Sequence, residues 1–346
     1  MPVNRRPTAR DVAELAEVSR AAVSFVFSGR AAGNLSAETQ ERIRRAAEQL
    51  GYRPDEVARS LRRRRSGVIG LLSDQIATSP FAGRMVLGAM EAARERGCQV
   101  LLLESRHDPH AESEAVSELR ARRVDGIVYA AMSMRRTDVP EGIDPAHAVL
   151  ANCVAREPGR YASVVADEPA GGRAAVDVLI EAGHREIALF GGEEGDIAAL
   201  DRARGFHDGL RAAGLVARPE WLRHAGWQID EGYAAALDVL DSRSRPTGVV
   251  CANDRVATGV LLAAARLGID VPGELSVVGY DDQDQVAGHL VPALTTVALP
   301  HHAMGATAVR TLLDAADAER SVDTARTVRL NCPVVRRDSV RPPTRR

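Results

Sequence analysis

From Gly67 onward the chain alternates short apolar runs with amphipathic stretches, and that alternation admits few architectures. Val68-Ile-Gly-Leu-Leu72, Val100-Leu-Leu-Leu103, Gly126-Ile-Val-Tyr129 and Ala148-Val-Leu150 read as buried strands, with helices predicted at roughly 84–96 and 111–122 between the earlier ones. A second set follows: Ile187-Ala-Leu-Phe190, Gly248-Val-Val-Cys251 and Ser276-Val-Val-Gly279, with helices near 170–182, 199–213, 231–241 and 254–267. Continuous Val/Ile/Leu runs, rather than strict alternation, belong to parallel sheets that helices cover on both faces. Gly97, Gly183 and Gly268 each stand where a helix ends and a strand follows, the left-handed cap that suits glycine. Two such α/β units in series predict two doubly wound parallel-sheet lobes.

The first sixty-odd residues have a different texture. Residues 1–65 carry fourteen arginines against eight acids, a net of +6, whereas the rest of the chain carries 31 against 39, a net of −8. A positive end on an otherwise acidic chain points to a polyanion partner. Every basic residue is arginine, so basic runs alone say little here. The pattern predicts three short helices: Thr8 caps the first with Asp11 three residues on, Ser19 caps the second, and Ser36 caps a third that stops at Gly51. Only Ala16 to Val18 separate the first two. That spacing is a helix-turn-helix, whose second helix presents its front to the major groove.

The chain resembles the family of the lactose and galactose repressors (LacI/GalR). The likeness is carried by Thr8-Ala-Arg-Asp-Val-Ala-Glu-Leu-Ala-Glu-Val-Ser19, by Ala22-Val-Ser24 and Ser28-Gly29, and by Ser36-Ala-Glu-Thr-Gln-Glu-Arg-Ile43. Leu50-Gly-Tyr-Arg-Pro54 and Ala58-Arg-Ser-Leu61 complete it, and the match continues to the carboxyl end. The resemblance implies a DNA-binding domain over 1–53 that uses Thr8, Ser19, Arg20, Ala21, Ser24, Phe25 and Arg53. Arg20 suits a bidentate contact to guanine, Ala21 offers a methyl group, and Ser19 and Ser24 suit phosphates. Phe25 and Glu17 depart from the family's usual polar residue and glycine, and a positive φ at Glu17 would strain the turn by ~1 kcal/mol. Residues 54–66 look like the hinge segment, too short to hold as an isolated helix. There Ala58, Leu61 and Arg62 would meet DNA, with Leu61 wedged into the minor groove.

The resemblance also makes 67–346 a periplasmic-binding-protein-like sensor. Its chain would cross between lobes near Ala166, Val297 and Asn331, giving lobe 1 as about 67–166 and 298–330 and lobe 2 as about 167–296 and 331–346. The fold class expected is therefore an α/β sensor of two doubly wound lobes behind an all-α helix-turn-helix domain. Ligands of open parallel sheets sit beyond the carboxyl ends of strands, here the cleft between lobes. By resemblance, Ser79, Phe81, Asn152, Arg202, Trp227, Asn253 and Asp281 would bind the effector. Each residue also has a plain structural alternative. Arg20 can be a solvated charge and Leu61 an ordinary linker residue; Asn253 and Asp281 can cap helices, Trp227 can be core, and Arg202 can belong to a structural ion pair.

Other chemistry is poorly supported by the sequence. Gly191-Gly192-Glu-Glu-Gly195 lacks dinucleotide-loop spacing, and its two acids would repel a pyrophosphate. His301-His302 and the His107/His110 pair lack the companions of a metal site, and no nucleophile elbow is present. Cys98, Cys153, Cys251 and Cys332 are scattered and read as reduced thiols. No run approaches ~18 apolar residues and Met1 to Arg10 lacks a signal-peptide core, so a cytoplasmic location is expected. The reading is a transcription regulator and not an enzyme, without a cofactor. Its expected partners are a palindromic double-stranded operator, a small-molecule effector (a sugar or other metabolite) and a second copy of itself, with a tetramer as the larger assembly. A solute-binding protein and an effector-independent regulator are the alternatives.

Overall fold

The computed structural model describes residues 7–27, 31–52, 65–76, 78–79 and 83–344. The chain divides into two compact units, Met1–Ser66 and Gly67–Arg346. In the first, α1 (Ala9–Leu15), α2 (Arg20–Phe27) and α3 (Ala37–Leu50) enclose Val12, Ala16, Val23, Ile43 and Ala47. Thr8 and Asp11 form a reciprocal capping box, Ser36 accepts from the Thr39 amide, and Gly51 closes α3 in the left-handed region. Glu17 has φ 52°, so the turn between α1 and α2 does place a non-glycine residue in left-handed space. Arg42 Nε donates to the carbonyl of Ala16 at 3.0 Å, tying α3 to that turn.

The second unit holds two six-stranded sheets. Lobe 1 has the order β11-β5-β4-β3-β1-β2, all parallel, from β1 (Val68–Ser73), β2 (Gln99–Glu104), β3 (Gly126–Thr137), β4 (Ala148–Ala155), β5 (Ala162–Ala166) and β11 (Thr327–Leu330). Lobe 2 has the order β12-β10-β9-β8-β6-β7, from β6 (Ile187–Gly191), β7 (Leu222–His224), β8 (Gly248–Cys251), β9 (Ser276–Asp281), β10 (Thr295–Ala298) and β12 (Val334–Val335). β12 runs antiparallel to β10 and the other pairs are parallel. Successive strand residues serve opposite faces: Leu189 and Val250 join one core, Ala188, Phe190 and Val249 the other. Helices therefore cover both faces.

The chain passes from β5 into the Glu168–Glu181 helix of lobe 2, from β10 into the His301–Asp317 helix against lobe 1, and from β11 to β12 through Asn331–Pro333. β5, β7, β10, β11 and β12 and the His301–Asp317 helix were not predicted from the sequence as elements. They are short, or marked by Ala and Thr rather than Val/Ile/Leu runs. The Glu168–Glu181 and Ile197–Ala212 helices cross at two glycines: a Cβ on Gly172 would lie 2.2 Å from the carbonyl oxygen of Arg202, and one on Gly205 2.0 Å from that of Pro169. This backbone-to-backbone approach fixes where Arg202 stands relative to Glu168.

Candidate functional site

The DNA-facing candidates lie at the front of α2. Ala22 and Val23 turn inward, so Arg20, Ala21, Ser24 and Phe25 share the opposite side; Arg20 and Ala21 are exposed, Phe25 is 37% exposed and Ser24 half-buried. Ser19 precedes them, and its Oγ accepts from the Ala22 amide at 3.2 Å, while Thr8 is engaged with Asp11. The caps thus hold the helix front in place. Arg53, Ala58, Leu61 and Arg62 lie outside the described residues, as does Phe81.

In lobe 2 the strand order reverses between β6 and β8, and the effector candidates gather at the carboxyl ends of these strands. Gly192 admits the Trp227 indole: a Cβ there would lie 2.4 Å from the ring. Asn253 is buried and uses both poles of its amide. Its Oδ1 accepts from the Val256 amide at 2.8 Å, capping the Asp254–Leu267 helix, and its Nδ2 donates to the Trp227 carbonyl at 3.1 Å. Arg202 is buried over the Tyr280 ring, 3.8 Å from its centroid, with the Trp227 ring at 5.6 Å. Its Nε and Nη2 reach the two oxygens of Glu168 at 2.8 and 3.2 Å, and Nη1 donates to the Ala252 carbonyl and approaches Asp281 Oδ1 at 3.5 Å. Both structural alternatives, cap for Asn253 and ion pair for Arg202, are therefore realised in the geometry.

In lobe 1 the order reverses between β1 and β3. Asp74, just past β1, accepts from the Met132 amide at 3.0 Å and from Arg135 Nη1 across that point. Next to it Asn152, at φ 57°, donates Nδ2 to the carbonyls of Ala131 and Met132, and its buried Oδ1 has no partner among the described residues. Ser79 Oγ is likewise buried with no partner among the described residues. The lobes meet around these strand ends: Arg84 pairs with Asp284, and Ser133 Oγ lies 3.5 Å from Asp196.

Burial dominates protonation here. Asp254 is raised to about 8 by burial and then by Asp281, although the Thr296 hydroxyl and the Gln283 amide both donate to it. Asp281 is raised to about 6 by burial, against the pull of Arg202. His301, at the second crossing, is pushed down to about 4 by burial and is neutral. An unfolded Asp254 would titrate near 3.8, so between that pH and about 8 the folded chain holds a proton that the unfolded chain has lost. Stability contributed by this site must fall as pH rises through that window. Asp254→Asn should flatten the decline: in thermal melts from pH 5 to 8 the variant should lose less Tm than the parent, and parallel pH profiles would show that Asp254 is ionised in the fold.

Residues 8–55 match the bacterial regulatory proteins of the lacI family, and residues 176–340 match the periplasmic binding protein-like domain. The HTH-type transcriptional regulator CelR of Thermobifida fusca is 34% identical over 322 residues, covering 91% of this chain and 93% of CelR. The chain belongs to the LacI family. Its structure is similar to the CelR–cellobiose complex (TM-score 0.67, 30% identity, 96% of this chain and 100% of that one). It is also similar to the lac repressor dimer bound to operator and the anti-inducer ONPF (TM-score 0.76, 26% identity, 97% and 100%). This LacI-family member is accordingly a DNA-binding transcription regulator with a helix-turn-helix domain and a periplasmic-binding-protein-like sensor, and its relatives are regulators and not enzymes. Among the described residues no helix is long and apolar enough to cross a membrane.

Sequence reasoning missed Glu168, Tyr280 and Gln283, which contact Arg202 or Asp281, and the Asp74–Arg135 pair. Glu168 sits at the first position of a helix beside Pro169, where an acid reads as an ordinary answer to the helix dipole. Its place directly after the Ala166 crossing was the available signal.

Proposed function

We propose that this regulator binds a palindromic operator as a two-fold dimer through the front of α2, and that a small polyhydroxylated effector between the lobes changes its operator affinity. The observation that carries the reading is the cleft: both strand-order reversals, Asp74/Asn152 in one lobe and Trp227/Asn253/Arg202 in the other, lie where the lobes meet. Hinge closure on a ligand supplies two states, and linkage makes the coupling between effector and DNA reciprocal. The cellobiose carried by the similar CelR structure supports a saccharide as effector. Leu87 and Met90, 50% and 53% exposed on the Gly83–Glu95 helix, support a surface for a second copy. Ser79, Phe81, Asn152, Trp227, Asn253 and Asp281 line the effector side in this reading, and Arg202 positions Asp281 and the Trp227 ring. In the hinge, Leu61 would wedge into the minor groove, with Ala58 and Arg62 meeting DNA beside it. The protein works in the cytoplasm, where its DNA is.

Arg20 is the side chain with the reach and fork geometry to read guanine. Arg20→Ala should cost ~1–3 kcal/mol at the operator and relax preference at one base pair. A duplex-array measurement checks it, and equal losses on every sequence would reduce Arg20 to a phosphate contact. Effector control is tested by operator titrations with and without a saccharide panel.

A further inference from the structure

We propose that α2 reads methyl groups in DNA: Phe25, with Ala21 beside it, selects a pyrimidine that carries a 5-methyl group, which in unmodified DNA is thymine. The inference rests on the reading that the front of α2 enters the major groove. Of the eight residues Arg20–Phe27, only Arg20 has a long hydrogen-bonding side chain and Ser24 a short one; the other six are Ala, Val or Phe. The Arg20 fork suits guanine, but the helix has no Asn or Gln to pair with adenine and no Asp or Glu to accept from cytosine. What α2 reads beyond the base under Arg20 must come chiefly through apolar contact. The apolar group that a base edge offers in the major groove is the thymine methyl.

The two phenyl rings of α2 have separate tasks. Phe27 packs on the core of this unit and meets Tyr52 edge to face, with 5.6 Å between ring centroids. Phe25 is no part of that core: it is 37% exposed, on the side that carries Arg20 and Ala21, while Ala22 and Val23 turn inward. A phenyl ring in water gains when an apolar group covers it, and on a face that meets DNA the base methyl is the group at hand. Ala21 and Phe25 are four residues apart, about 6 Å along the helix, so the pair spans at most two base-pair steps of about 3.4 Å. Arg20 directly precedes Ala21, which places the guanine and the methyl group within the same few base pairs.

The test lets the full chain select duplexes from a random pool, then remakes the preferred site with each T·A pair replaced in turn by U·A, C·G or 5-methylcytosine·G. At one or two positions T·A and 5-methylcytosine·G should bind alike, and U·A and C·G about fourfold more weakly, the worth of one buried methyl group. The 5-methyl group faces the major groove, so hinge contacts in the minor groove do not enter the comparison. Phe25→Ala should erase the difference at one position and leave the guanine preference of Arg20 in place, whereas Phe25→Leu, still apolar, should retain it; circular dichroism checks that both variants fold. Uracil binding as tightly as thymine at every position, a selected site without thymine, or a methyl effect undiminished in folded Phe25→Ala overturns this inference alone. A parent that selects no sequence overturns the reading of α2 as well.

Discussion

Arg202→Ala should destabilise the sensor by about 3–5 kcal/mol, the cost of leaving a buried carboxylate without its counter-charge. Glu168 is only 2% exposed, so it cannot turn to water when the guanidinium is removed, and the Ala252 carbonyl loses its donor in the same step. Burial opposes the charge on Arg202, yet Glu168 and then Asp281 outweigh it and raise its pKa, so the guanidinium stays charged. In calorimetry the sensor's transition should drop by roughly 10 °C. Removing both partners, Arg202→Ala with Glu168→Ala, should cost less than the sum of the two single changes, since neither charge is then stranded. Additive losses would mean that the two groups do not interact as the 2.8 and 3.2 Å contacts require.

Ile43→Ala should abolish operator binding while leaving the sensor's melt in place. Ile43 is fully buried among Val12, Ala16, Val23 and Ala47, and truncating such a side chain costs about 2–5 kcal/mol. A unit as small as Met1–Ser66 buries too little surface to absorb that loss. The face of α2 bearing Arg20 exists only while α1 and α3 hold it, so affinity for operator should fall more than a hundredfold, with a loss of helical circular dichroism. Retained binding at parental affinity would mean that DNA is gripped by another part of the chain.

The fold class was legible because its dominant signals are local. Apolar strand runs, glycine caps at Gly97 and Gly268, and the caps at Thr8 and Ser36 each act within a few residues and need no partner distant in sequence. The Asp254–Leu267 helix has the predicted bounds, and the other predicted helices are displaced by only one or two residues. Elements whose identity depends on a distant neighbour were not legible. β11, reading Thr-Val-Arg-Leu, is a strand because β5 offers it an edge, and β12 has two residues that only β10 makes a strand. The cleft divides in the same way. Trp227, Asn253 and Asp281 stand at strand ends or helix starts that local pattern could place, whereas Asn152 lies within β4 and Arg202 in the second turn of the Ile197–Ala212 helix. That Arg202 is spoken for by Glu168, 34 residues earlier, depends on two helices meeting at Gly172 and Gly205, and no local pattern encodes that encounter.

The central claim is that one chain couples DNA affinity to occupancy of the cleft. It is tested most directly by fluorescence anisotropy of the full chain on a pool of operator-like duplexes, at two salt concentrations, with and without the neutral saccharides. The account predicts sequence-selective binding that weakens steeply with salt and is shifted by at least one sugar, a shift lost in Asn152→Ala. Binding that is indifferent to sequence and unmoved by every sugar would contradict it.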